Sequence, residues 1–266
     1  MGGLYFQWHI TDACNFRCRH CYQDKFDNSL ELDAKGLKAA ADKIIQQAKA
    51  QNTKAIINIT GGEPFLKKEL FELLNYLDGH KEIGELLVIT NASLVDDVRI
   101  KELKEIKKLN QIKISLDGAT AASNDVIRGK GFFAKAMEAI KLLKESGYSI
   151  AIMFTAMKSN LKEIKGLYEL CQKLSLDGLI LERFFPMGEG AKLKDELLDR
   201  GDWLNLVKAI FELAGEPYLE KEIVSQRAFW VRFLKRKTEL WGASCNVGRD
   251  SFCIMPNADL YPCRRF

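Results

Sequence analysis

The chain has 266 residues, of which 47% are hydrophobic and 29% charged, with 19 Gly against only 5 Pro. That length suits one large domain, or one domain plus a smaller one, and the composition excludes disordered, collagenous and low-complexity classes. Lys and Arg total 40 against 36 Asp and Glu, a net charge of +4 that gives no electrostatic case for a nucleic-acid partner.

Apolar and β-branched runs alternate with segments of helical period. Residues 4–10 (LYFQWHI) read as a strand that runs into a cysteine-bearing loop. Residues 33–50 read as an Ala- and Lys-rich helix, 55–60 (AIINIT) as a strand ending in Gly61 and Gly62, and 66–77 as a helix. Then come a strand at 85–90 and a helix at 96–109 with Ile100, Leu103, Ile106 and Leu109 on one face. A strand at 111–116 is closed by Asp117 and Gly118, and a helix at 133–145 is ended by Gly147. Residues 149–155, 161–174, 178–185 and 203–214 continue as strand, helix, strand and helix.

Six such units over residues 1–215 imply an α/β fold with a parallel sheet, helices outside and right-handed crossovers. Six is two short of a closed eight-unit barrel, so the expected architecture is a partial (β/α)6 TIM-like barrel. Its ligand site belongs at the carboxyl ends of the strands. Residues 216–244 are basic and aromatic, with Arg227, Trp230, Arg232, Phe233, Lys235 and Arg236. They read as a connecting helix packed on the barrel, its charges solvated. Residues 245–266 form a short Cys-rich extension.

No apolar stretch nears the roughly 20 residues that span a bilayer; the longest covers residues 148–157. The start of the chain lacks a basic-then-apolar signal segment. The expectation is a cytoplasmic protein without a membrane partner.

Seven cysteines sharpen the reading: Cys14, Cys18, Cys21, Cys171, Cys245, Cys253 and Cys263. An odd count does not suggest a disulfide framework. Three fall within eight residues near the start and three within nineteen near the end, a spacing that suits thiolate metal ligands. Three thiolates on one loop can hold three irons of a [4Fe–4S] cubane, which normally takes four cysteines, and leave one iron for a non-protein ligand. Zinc is the alternative, with His20 as a fourth ligand in a tight loop. Cys171, inside a helical pattern, reads as a small buried hydrophobe.

The run Cys14-Asn15-Phe16-Arg17-Cys18-Arg19-His20-Cys21, a CxxxCxxC, resembles the signature of the radical S-adenosylmethionine (SAM) superfamily. The GGEP at 61–64 is similar to that superfamily's next motif. ISLDG at 114–118, followed by Ile127, Arg128 and Gly129, resembles its SPASM-domain-containing branch of peptide- and protein-modifying maturases. Residues 245–263, ending in the run Pro256-Asn257-Ala258-Asp259-Leu260-Tyr261-Pro262-Cys263, resemble the opening of the SPASM domain, apparently truncated at Phe266.

The resemblance implies that Cys14, Cys18 and Cys21 hold a [4Fe–4S] cluster whose open iron is chelated by the methionine end of SAM. The reduced cluster would cleave SAM to a 5′-deoxyadenosyl radical, which abstracts hydrogen from an unactivated carbon. Gly61 and Gly62 would let the backbone approach the cofactor, Glu63 would pair with the methionine ammonium, and Arg128 with its carboxylate. Ser115 and Asp117 would face the mouth and suit ribose hydroxyls or the methionine end. Asn91, ending a strand, would lie near the site, and His20 would pack over the cluster. An auxiliary [4Fe–4S] cluster would draw on Cys245 and Cys263, although Ala258 stands where the pattern usually has Gly, and Cys253 aligns with no ligand position. The implied substrate is a peptide or protein, with a flavodoxin- or ferredoxin-type one-electron reductant. A small-molecule reaction such as haem-precursor or cofactor processing, and a non-catalytic iron–sulfur electron-transfer module, are the alternatives. No catalytic base can be named.

Overall fold

The computed structural model describes residues 3–217, 226, 228–234, 237–243, 245 and 249–265. Its centre is a parallel sheet of six strands taken in chain order: β1 (Leu4–His9), β2 (Ala55–Thr60), β3 (Ile83–Thr90), β4 (Leu109–Ser115), β5 (Ser149–Ala156) and β6 (Gly178–Arg183). These strands carry near-continuous apolar runs because both faces are covered. Ile57, Ile59, Val88, Ile112, Ile114 and Ile152 are all buried.

Helices α1 (Ala34–Ala50), α2 (Leu70–Asp78), α3 (Asp97–Lys104), α5 (Phe132–Glu145), α6 (Ile164–Lys173) and α7 (Arg200–Ala214) connect or follow the strands. Each turns one apolar face inward. On α1 that face is Leu37, Ala40, Ala41, Ile44 and Ala48, and the helix is capped by Asp33, whose side chain accepts from the Gly36 N–H at 2.8 Å. On α5 it is Phe132, Ala136, Ala139, Ile140 and Leu143.

An additional helix, α4 (Ala121–Arg128), falls between β4 and α5. Its sequence, AASNDVIR, has too few apolar positions to show a helical stripe. What starts it is local: Thr120 caps the Ser123 N–H, and the Ser123 side chain returns a bond to the cap. The helix expected over 96–109 ends at Lys104, and Leu109 opens β4 instead. Ile106, in the turn after α3, and Leu109, the first residue of β4, are both buried, so their helical spacing reflects a turn and a strand meeting one core.

Among the described residues of the segment 216–244, where a connecting helix was expected, strands are found instead; residues 218–225 lie outside the described residues. Residues Ala228–Phe233 form β7 and Thr238–Ala243 form β8, an antiparallel hairpin whose first strand pairs with β6. AFWVRF alternates with period two. Phe229 and Val231 are buried, Trp230 and Arg232 face out of that layer, and Phe229 lies 6.0 Å ring to ring from Trp203 of α7. The basic residues Arg227, Lys235 and Arg236 lie outside the described residues.

The Cys-rich extension also joins the sheet. Ser251–Ile254 (β9) runs parallel to β1, and Leu260–Tyr261 (β10) turns back antiparallel on β9. Among the described residues the sheet therefore has ten strands, ordered β10-β9-β1-β2-β3-β4-β5-β6-β7-β8, curved as a partial barrel. Among the described residues no helix is long and apolar enough to cross a membrane.

Candidate functional site

A cavity of about 530 Å³ opens inside the curve of the sheet. Cys14, Cys18 and Cys21 are half-buried in its wall, together with Gly61, Gly62, Ser115 and Arg128. Strand one thus delivers the thiols, strand two the glycines and strand four the serine.

The loop after β1 has no regular structure of its own, and its backbone is held from several sides. Gly62 N–H donates to Thr11 O and Glu63 N–H to Ala13 O, both at 2.8 Å. Arg19 N–H donates to Ile127 O at 2.8 Å, and Gly190 N–H to Cys21 O at 2.9 Å. The approach of residues 61–62 is close enough to require glycine. A Cβ on Gly61, whose φ is +153°, would lie 2.3 Å from Thr11 O, and one on Gly62 would lie 2.3 Å from Ala13 O. Below the loop, the Thr11 hydroxyl donates to Glu31, which also takes the buried Lys67 ammonium at 2.9 Å.

Burial raises the pKa of all three thiols, Cys18 up to about 12, against the lowering influence of the Arg128 charge on Cys18 and Cys21. Without metal these groups rest as thiols; a bound cation is what makes thiolates of them. Among the described residues no group of three or more His, Cys, Asp or Glu is set to hold a single metal ion. A cubane asks for something else, one thiolate on each of three irons. Three thiols spaced along one braced loop at the mouth of a cavity fit that demand, and two Cβ-free residues beside them leave backbone open to a ligand.

His20 is not placed as a zinc ligand. Its Nε2 lies 2.8 Å from Asp117, whose carboxylate also takes Arg128 Nε at 2.6 Å and accepts from Thr155 N–H at 2.8 Å. Burial alone would raise the Asp117 pKa, but the Arg128 and His20 charges overcome this and hold it at about 2. The expected exposure of Asp117 at the mouth is therefore corrected: it is fully buried behind the wall, because its charge is matched within the protein. Arg128 does line the wall, with its Nε committed to Asp117.

Glu63 also sits behind the cavity's lining. It is fully buried, caps the short turn Pro64–Leu66 and accepts from Phe65 N–H (3.1 Å), Thr90 Oγ1 (2.7 Å) and Asn91 N–H (2.7 Å). Desolvation pushes its pKa up to about 7 despite those three donors. Its carboxylate positions Thr90 and Asn91, and it is these two that reach the wall. Asn91 Nδ2 then donates to Asn15 Oδ1 at 2.9 Å and lies 3.9 Å from Cys14 Sγ.

The C-terminal cysteines divide differently from the sequence expectation. Cys263 and Cys253 both line the cavity, Cys253 at only 2% exposure, whereas Cys245 is exposed and outside the wall. Pairing of β9 with β1 is what brings Cys253 in. Cys171 is buried in α6, as its helical context implied. Lys113, Glu182 and Arg183 also line the cavity and were not singled out from sequence. A lysine between two isoleucines in QIKISL was the available signal.

The family model of the Radical SAM superfamily matches residues 8–171, which contain the cysteine loop, the glycines and strands two to five. The chain belongs to the radical SAM superfamily. The superfamily's cofactors, a [4Fe–4S] cluster and SAM, are those the cavity wall fits. Among curated relatives, the Fe-coproporphyrin III synthase of Methanosarcina barkeri is 32% identical over 211 residues, covering 77% of this chain and 50% of that protein. The mycofactocin maturase MftC of Mycolicibacterium smegmatis is 28% identical over 265 residues, covering 96% of this chain and 63% of that one. The chain thus spans between half and about two thirds of the length of these relatives. Among solved structures, SuiB of Streptococcus suis bound to S-adenosylmethionine shares the fold, with a TM-score of 0.76 at 19% identity over 99% of this chain and 61% of that one. Relatives named as maturases accord with the SPASM-branch resemblance.

Proposed function

We propose that this radical SAM protein abstracts hydrogen from a peptide or protein substrate in a maturase-type modification. The observation that carries the reading is the convergence of Cys14, Cys18 and Cys21 with Gly61 and Gly62 in one cavity wall. Bound there, a reduced cluster and SAM supply hydrogen-atom abstraction from an unactivated carbon.

The chain's own residues do the rest. The three cysteines hold the cluster. Gly61 and Gly62 bring backbone against the methionine end, and Ser115 offers a hydroxyl from strand four. Arg128 carries positive charge to the wall, fixed by Asp117. Glu63 works from behind, holding Thr90 and Asn91 in place. A likeness to relatives named as maturases supports a peptide substrate. A flavodoxin- or ferredoxin-type reductant would supply the electron, in a cytoplasmic compartment that keeps the thiols reduced. In a longer protein, Cys263 and Cys245 would contribute to an auxiliary cluster, and the wall position of Cys253 makes it a competing partner for Cys263.

A second reading is favoured by a specific observation: the 32% identity to an Fe-coproporphyrin III synthase. On that reading the substrate is a small molecule.

Substituting Cys14, Cys18 and Cys21 together by Ala tests the common ground. After anaerobic reconstitution, the variant should lack the brown chromophore and form no 5′-deoxyadenosine with dithionite and SAM. Cleavage at the wild-type rate would overturn the assignment. Mass spectrometry of candidate peptides and of porphyrins incubated with the reduced protein separates the two substrate readings.

A further inference from the structure

Strand β4 reads Leu-Asn-Gln-Ile-Lys-Ile-Ser, and its lysine is only 2% exposed. Lys113 Nζ donates to Asn58 Oδ1 on β2 at 2.9 Å, and Asn58 in turn donates to the Tyr5 hydroxyl on β1. The ammonium lies 4.7 Å from the ring centroid of Trp230 on β7. Four strands therefore meet at one cation in the wall of the cavity that holds the cysteines.

An ammonium has three N–H donors and needs a counter-charge when taken out of water. Asn58 accepts one donor and the Trp230 face offers a cation–π contact. Among the described residues Lys113 forms no salt bridge; Glu182 and Glu85 act on it only through longer-range attraction. Burial lowers its pKa to about 8, those two glutamates opposing the shift. If the lysine served only to fill the floor of the barrel, an apolar side chain would do so without the desolvation cost.

We propose that Lys113 is a specificity-determining residue whose Nζ anchors a carboxylate of the substrate, with Trp230 as the apolar flank. The inference rests on the proposed function and deepens it by naming the chemical class of substrate. The carboxylate would seat among β1, β2, β4 and β7, while the carbon to be attacked is presented toward the cysteines. Glu182, in the same wall, limits the site. A second carboxylate directed toward β6 would meet like charge, so one acidic group per lysine is favoured. The carboxylate has two sources, a Glu or Asp side chain of a peptide or the acid group of a small molecule.

Anaerobic titration calorimetry on the reconstituted full chain tests this with two probes and their neutral counterparts. The peptide acetyl-Gly-Glu-Gly-amide is compared with its Gln form, and coproporphyrin III with its tetramethyl ester. One acid should bind saturably, and its neutral form at least about tenfold more weakly, the loss of one charge-assisted contact. Lys113→Met should weaken that acid by about tenfold or more, while Lys113→Arg stays within about threefold. Which acid binds identifies the source. Binding of neither acid, equal binding of acid and neutral forms, or unweakened binding by Lys113→Met would each overturn the proposal. The acid-against-neutral comparison uses wild type alone, so it stands even if Lys113→Met does not fold. Cleavage of SAM by wild type without probe is read separately. Cleavage without an acid-selective site defeats the lysine assignment alone, and an acid-selective site without cleavage defeats the radical reading alone.

Discussion

At the scale of single residues, the site separates groups that face the cavity from groups that hold them. Asp117 is the clearest holder: one carboxylate takes the Arg128 guanidinium, the His20 ring and a backbone N–H, all away from solvent. Asp117→Asn would leave Arg128 buried without its counter-charge, and breaking a buried pair in this way costs about 3–5 kcal/mol. Urea unfolding of the metal-free protein should register that loss against wild type; a difference below about 1 kcal/mol would mean the pair adds little. The division between facing and holding is what sequence could not supply. Cys14, Cys18 and Cys21 were legible because their spacing is local. The hydrogen-bond partners of Glu63 and Asp117 were not legible, since Thr90, Asn91, His20 and Arg128 meet them only through the fold.

At the scale of elements, the turn after β2 is built against the loop after β1. The backbones touch with no side chain between them, and hydrogen bonds from Gly62 and Glu63 to Thr11 and Ala13 fix the distance. Gly62→Ala forces a methyl group into the Ala13 carbonyl, where backbone must move, a cost of about 1–3 kcal/mol. The variant should keep the far-UV circular dichroism of the wild type yet retain less iron after reconstitution; full iron loading would show the loop free to yield. The elements themselves were readable where apolar runs are long, as in β2 or α5. They were misread where a turn and a strand share one core, as at Ile106 and Leu109, or where capping rather than an apolar stripe starts a helix, as at Thr120. The β7–β8 hairpin was missed because basic residues around AFWVRF suggested a solvated helix, when the period-two burial of Phe229 and Val231 was the signal to follow.

At the scale of the whole molecule, six parallel strands set the cavity and four added strands extend its sides. The repeating strand–helix pattern made the barrel legible, whereas pairing of β9 with β1 joins residues 246 positions apart and leaves no local trace. The cysteine loop is clasped by backbone hydrogen bonds from β2's turn, α4 and residues 189–190, to which Cys18 Sγ adds one thiol contact with Arg128 O at 3.7 Å. Removing the iron with a chelator should therefore leave an intact scaffold: unchanged far-UV spectrum and one cooperative melting transition, at a lower midpoint because a ligand of the folded state is gone. A broad, non-cooperative melt would contradict this. Unlike a zinc finger, which collapses without its ion, this architecture treats its inorganic centre as a replaceable part. If the metal-free scaffold melts as one unit, oxygen damage to that centre would be repaired in place, with no need to send the chain back through folding.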